Sequence, residues 1–157
     1  MLIHRSSPLR TLPVPIKSVV EKETKLSVEP GFRLPDLSGR PLPQRVFTST
    51  YFDTLDHCVA RSKITLRFRI EGLSGAWQLK LPLNGARREI EVPGPAGKPP
   101  ATIVKALVVL LEGKHLVPVS TLRTWRTGVR VHQGGDRAAD VVLDTVSVLR
   151  EGLVVQS

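Results

Sequence analysis

The chain has 157 residues, 41% of them hydrophobic and 24% charged, which fits about one globular domain with a core of its own. Lys and Arg number 23 against 14 Asp and Glu, a net charge of +9 that favours polyanionic partners: nucleic acid, polyphosphate or an acidic membrane surface. Aromatic residues make up only 4% and form no motif that alternates basic with stacking aromatic residues, against a single-strand nucleic-acid platform, and no apolar run approaches a membrane span.

The N-terminal MLIHRSSPLRTLPVP lacks the apolar core of a secretory signal, so residues 1–16 read as a disordered arm and 17–157 as the domain. Cys58 is the only cysteine, which excludes an internal disulfide and fits a reducing, cytoplasmic setting. The first strand expected is VVEKETKLSV, from Val19 to Val28. Alternation sends Glu21, Glu23 and Lys25 to one face and Lys22, Thr24, Leu26 and Val28 to the other.

A loop dense in Pro and Gly, PGFRLPDLSGRPLPQ, leads to a second strand, VFTSTYFDT. The segment LDHCVARSK then turns toward KITLRFRIEG, where Ile64, Leu66, Phe68 and Ile70 alternate with Thr65, Arg67, Arg69 and Glu71. Past the turn Gly72-Leu73-Ser74-Gly75, Trp77, Leu79 and Leu81 alternate with Gln78 and Lys80. In ARREIEVPG, Arg87, Glu89 and Glu91 share one face and Arg88, Ile90 and Val92 the other.

The linker PGPAGKPP breaks this pattern, and ATIVKALVVLLEG places Ile103, Ala106, Leu107, Leu110 and Leu111 at helical spacing. Pro99-Pro100 and Gly113 fit its start and stop. Two strands complete the chain: STLRTWRTGVRVH, with Arg126, Arg130 and His132 on one face, and ADVVLDTVSV, with Asp140 and Asp144 on one face. Gly134-Gly135-Asp136 forms a turn between them.

Strand after strand thus has one apolar and one charged face. A sheet with one side in water accounts for that. So does a barrel whose charged faces converge on an internal cavity. The sign balance favours the barrel: several Arg and Lys side chains hold a many-oxygened anion, and a few carboxylates hold a hard cation such as Mg²⁺ or Mn²⁺.

Seven segments in order, EKETK, TYFDT, LRFRIEG, WQLKLP, RREIEVP, LRTWRTGVRV and ADVVLDTVSV, resemble a CYTH domain, the triphosphate tunnel metalloenzyme family. RREIEVP and DTVSV are most similar to the CYTH half of proteins that carry a CHAD domain behind it. The resemblance implies an α+β fold, mainly antiparallel β, closed into a barrel with few helices. It also implies divalent-metal hydrolysis or cyclisation of triphosphates, with inorganic triphosphatase chemistry as the expected activity and a non-catalytic polyphosphate-binding module as the alternative.

By the same resemblance, Glu21 and Glu23 are expected to bind metal, with Asp140 joining them directly or through water. Lys25 is expected to contact phosphate or assist catalysis. Arg67, Arg69, Lys80 and Arg126 are expected to grip the phosphate chain, and Arg87 is preferred over Arg88 for the next basic position because it shares a face with Glu89. The chemistry agrees: phosphoryl transfer requires neutralised phosphate oxygens and a positioned water.

Other residues read blandly. Asp53 is expected to fix a turn through backbone hydrogen bonds. His57 and His115 lack metal-ligand spacing, His132 is placed at a cavity mouth, and Cys58 has no orienting acid for nucleophilic work. The sequence stops at REGLVVQS without the alternating acidic strand of the family, so the domain reads as C-terminally truncated, with an incompletely closed barrel and a homodimer through the open edge as a partner. A triphosphate or polyphosphate is the expected small-molecule partner; neither a membrane nor nucleic acid is expected.

Overall fold

A computed structural model describes residues 16–132, 134–135 and 138–151. The expected alternation appears as strands β1 (Lys17–Glu21), β2 (Arg40–Pro41), β3 (Arg45–Asp53), β4 (Thr65–Glu71), β5 (Ser74–Leu83), β6 (Ala86–Pro93), β7 (Val117–His132) and β8 (Ala138–Glu151). Three short helices interrupt them: α1 (Cys58–Arg61), α2 (Ala101–Ala106) and α3 (Val108–Leu111). All pairings are antiparallel in one sheet ordered β1-β6-β5-β4-β3-β7, with β2 and β8 also paired to β7. Among the described residues β1 and β8 are not paired to each other, so the sheet curves without closing.

The two faces of this sheet do different jobs. One face presents Phe52, Leu66, Phe68, Trp77, Leu79 and Val92, and the helices cover it with Val59, Ile103, Leu107 and Leu111. Trp77 is fully buried at its centre, with ring centroids 4.8 Å from Phe52 and 5.2 Å from Phe68, tilted pairs of the kind worth about 0.5–1.5 kcal/mol each. Its indole donates to the Pro95 carbonyl at 3.0 Å, which satisfies the one polar atom it buries. Gly75 is needed here because a Cβ would sit 2.6 Å from the Phe68 ring. The other face is polar and forms the site described below.

The first strand is shorter than the sequence pattern indicates. It spans Lys17–Glu21, not Val19–Val28, because its only partner among the described residues is β6 and the register Glu21↔Arg87 brings β1 to the start of that strand. Just before β6 the chain reverses through Asn84 and Gly85, both at positive φ, so β6 offers Lys22 onward no partner. Among the described residues, Glu23 and Lys25 therefore sit on a segment without a strand partner.

The expected helix over ATIVKALVVLLEG exists in two pieces, broken at Leu107 (φ −104°, ψ 0°), and stops at Glu112 and Gly113, both left-handed. Within the loop that precedes β3, Arg40–Pro41 pairs briefly with Val129 and Arg130. The turning segment LDHCVARSK becomes α1, and Asp53 organises it as expected. Its Oδ1 accepts from the backbone of Thr54 (2.7 Å) and Val59 (2.9 Å), and its Oδ2 from Ala60 (3.0 Å). The expected arm up to residue 15, Asp136 of the turn and the stretch after Glu151 lie outside the described residues. No helix among the described residues is long and apolar enough to cross a membrane.

Candidate functional site

Strand register sets the polar face. Tyr51, Arg67, Gln78 and Glu91 stand opposite one another across β3, β4, β5 and β6. They are joined side chain to side chain: Arg67 Nε donates to Gln78 Oε1 at 2.8 Å, Gln78 Nε2 donates to Glu91 Oε2 at 3.0 Å, and Arg67 Nη1 reaches the Tyr51 hydroxyl at 3.4 Å. Gln78 is buried, so this amide fixes the Arg67 guanidinium from one side.

One step along the same strands, Arg69 Nε donates to Ser49 Oγ at 3.3 Å. The guanidinium of Arg69 lies 3.9 Å from the centroid of the buried Phe47 ring, with those of Arg126 and Arg45 at 5.2 and 5.7 Å. Arg45 forms a bidentate pair with Glu71 (2.7 and 2.5 Å), and Arg126 one with Asp144 (2.7 Å for both bonds). On the far wall Arg130 pairs in the same way with Asp140, its cross-strand neighbour, at 2.6 and 2.8 Å. Lys80 bridges two carboxylates, Glu21 at 2.5 Å and Glu89 at 2.9 Å.

All of these side chains except Ser49 and Glu71 line one cavity of about 890 Å³. Burial, followed by the like charges of Arg67 and Arg126, pulls the pKa of Arg69 down to about 10. Since a guanidinium stays protonated at neutral pH, that shift marks a cation in need of counter-charge. Burial pushes Glu21 upward, but the hydrogen bond from Lys80 and the charges of Lys80 and Arg67 outweigh it and leave the carboxyl below its usual value. Their carboxylate partners hold Arg45 and Arg126 above the ordinary arginine value, and the hydrogen bond from Arg130 holds Asp140 below the ordinary aspartate one.

Eight of the residues singled out in the sequence line this one cavity: Glu21, Glu23, Lys25, Arg67, Arg69, Lys80, Arg126 and Asp140. Arg87 does not. It lines a neighbouring cleft of about 320 Å³ with Glu21, Glu23 and Lys25, and its Nη2 donates to the Lys63 carbonyl at 2.8 Å. The register explains this, because Arg87 faces Glu21 and Pro82 at the very start of β6, beyond Lys80. Arg88 is exposed on the opposite side. Cys58 is buried in the helix-covered core, away from the cavity, and His132 is not among the lining residues.

Sequence reasoning missed Arg45, Gln78 and Tyr51. Arg45 stands just before the expected VFTSTYFDT strand, yet its parity with Phe47, Ser49 and Tyr51 was available as a signal. Gln78 shares its face with Lys80 but carries no charge, so nothing marked it.

Among the described residues, no three His, Cys, Asp or Glu side chains gather closely enough to form a metal cluster. A hard cation such as Mg²⁺ commonly takes only one or two carboxylates and completes its shell with water and substrate phosphate oxygens. The oxygen donors Glu21 and Glu23, on one wall beside the arginines, fit that mode. Asp140 lines the cavity from β8 and is held by Arg130.

Fold and site together define an antiparallel β protein with a helix-backed core on one face and a walled, arginine-rich cavity on the other. The chain belongs to the CYTH domain family, whose pattern it matches over residues 16–155. It is 30% identical over 157 residues to the uncharacterized proteins MT2285 and Rv2226 of two Mycobacterium tuberculosis strains, matching over 97% of this chain but spanning only 30% of each relative. A solved structure of a candidate adenylate cyclase (bh2851) from Bacillus halodurans superposes with a TM-score of 0.52 at 20% identity, over 68% of this chain and 60% of that one, which shows a shared fold.

Proposed function

We propose that this domain binds an inorganic triphosphate, or a related polyphosphate, in the 890 Å³ cavity and hydrolyses its phosphoanhydride with Mg²⁺ or Mn²⁺. The observation that carries the proposal is the convergence of Arg67, Arg69, Lys80 and Arg126 with Glu21 and Glu23 on one cavity from four strands and the segment after β1. In this reading Arg67 and Arg69 neutralise phosphate oxygens, with Lys80 and Arg126 recruited from their carboxylate partners as the anion arrives.

Glu21 and Glu23 would hold the metal, and Asp140 would join them on release from Arg130. The metal supplies polarisation of the reacting phosphoryl group. Lys25, on the flexible reach of a long side chain just past β1, contacts the phosphate that leaves or receives the water oxygen. Hydrolysis forms one P–O bond from water and breaks the bridging P–O bond, releasing phosphate and diphosphate with a proton passed to solvent. The same reading sets the protein in a reducing cytoplasm and includes a second copy of the chain along the edge of β8 that no described residue pairs with; a monomeric mass in solution would contradict that partner.

The test is phosphate release from tripolyphosphate by the purified chain with Mg²⁺, with Mn²⁺ and with EDTA, alongside a Glu21→Gln/Glu23→Gln variant. Metal-dependent release that the variant loses is expected. Unchanged release by the variant removes the metal role assigned to these glutamates.

A second reading is favoured by one observation: Glu21, Asp140 and Asp144 already pair with cations of the protein, at Lys80, Arg130 and Arg126. On that reading the domain binds polyphosphate without turning it over, and binding survives EDTA while no phosphate is released.

A further inference from the structure

Three guanidiniums share the Phe47 ring, but they are not equivalent. Arg45 and Arg126 are each neutralised by a bidentate carboxylate, Glu71 and Asp144, and lie over 5 Å from the ring centroid. Arg69 is much closer at 3.9 Å, and among the described residues its side chain has a single hydrogen bond, from Nε to Ser49, and no carboxylate partner. Phe47 itself is only 3% exposed.

A desolvated aromatic face under a cation attracts it through the ring quadrupole, and a planar guanidinium stacks where an ammonium cannot. Stacking also leaves the in-plane N–H groups directed sideways, so the terminal Nη groups remain available to oxygens in the cavity. The residue pair spans two strands: Phe47 on β3 stands two positions from Ser49, which faces Arg69 directly across β4.

We propose that Phe47 is the positioning residue of the anion site: its buried ring seats Arg69, which with the amide-held Arg67 is a carboxylate-free guanidinium of the cavity and takes a phosphate oxygen without first giving up an ion pair. This rests on the reading of the cavity as a phosphate site. It adds a residue that touches neither metal nor phosphate and that charge-based reasoning passes over. Burial of the Arg69 guanidinium among like charges supports it, because a cation in that position gains most from an arriving anion.

The experiment compares the intact chain with Phe47→Leu, which keeps an apolar side chain, and with 3,4,5-trifluorophenylalanine placed site-specifically at position 47, which keeps the ring shape and cancels its quadrupole. Calorimetric titration with tripolyphosphate is expected to show about three- to thirtyfold weaker binding for both. In an Arg69→Lys background, Phe47→Leu is expected to cost no more than about twofold further, since both act through one contact.

A ligand-independent readout accompanies it: the Arg69 Nε–H proton is expected upfield of the other arginines by the ring current of Phe47, and to lose that shift in Phe47→Leu. Binding unchanged in both variants, or losses that add in the double variant, overturns the positioning role. An Arg69 proton without an upfield shift overturns the seating itself. If the unaltered chain binds no tripolyphosphate while the shift is present, the seating stands and the phosphate reading of the cavity fails.

Discussion

The ammonium of Lys80 sits 2.5 Å from a carboxylate oxygen of Glu21, so a residue assigned to phosphate and a residue assigned to metal neutralise each other across β5 and β1. Under the proposed function, a cation taken by Glu21 would free Lys80, and an anion taken by Lys80 would free Glu21. On that reading the two ligands therefore favour each other's binding, and the coupling is reciprocal.

Lys80→Met separates these effects. It removes one phosphate contact and leaves Glu21 and Glu89 without their shared cation. The variant is expected to bind tripolyphosphate in EDTA about tenfold more weakly. Mn²⁺ alone is expected to raise its melting temperature more than it raises that of the unaltered chain. Equal Mn²⁺ shifts in differential scanning fluorimetry would contradict the exchange.

Arg69 offers a test of opposite sign. Its depressed pKa means that the fold holds a cation at a cost. Arg69→Met is therefore expected to match or exceed the parent in melting temperature without ligand, yet to lose most of the stabilisation that tripolyphosphate gives the parent. A large loss of stability without ligand would show that Arg69 serves the fold and not the anion.

Acid unfolding follows from the carboxylates. Glu71 is held below 4.5, chiefly by its hydrogen bond from Arg45, and Glu21 is also lowered. In the unfolded chain these groups bind more protons across that window. Their stabilisation is thus fully present above 4.5 and is lost as pH falls through the folded values. Urea unfolding across this range should show stability dropping with acidity, with a shallower drop in Glu71→Gln; the same slope in both would contradict the pairing.

Asp53 is a structural prediction away from the cavity. It accepts three backbone N–H bonds at the start of α1 and is buried. Asp53→Ala is expected to lower stability by about 1–3 kcal/mol in urea unfolding, because it leaves buried donors unsatisfied. A change under half a kcal/mol, on the order of an exposed surface substitution, would contradict this role.

Much of this was legible in the chain because period-two alternation survives folding intact. Arg67 and Arg69 opposite Leu66 and Phe68, Lys80 beside Leu79, and Glu89 beside Ile90 reach the faces their parity assigns. The length of β1 was not legible, since it depends on where β6 begins and not on residues 22–28 themselves. Nor was the break at Leu107, because helical spacing continues straight through it.

The partners of the charges were the least visible part. Arg130 meets Asp140, and Arg126 meets Asp144, only because one register of β7 on β8 sets them opposite each other. Phe47 read as one more apolar strand residue until the pairing of β3 with β4 and β7 placed three guanidiniums around it.

The most direct measurement is a calorimetric titration of the chain with tripolyphosphate, with and without Mg²⁺, set against an Arg67→Met/Arg69→Met variant whose melting curve confirms folding. The account predicts saturable binding at one site per chain, strengthened by Mg²⁺ and weakened about a hundredfold or more in the variant. Absence of binding by the unaltered chain, or equal binding by the variant, would contradict it.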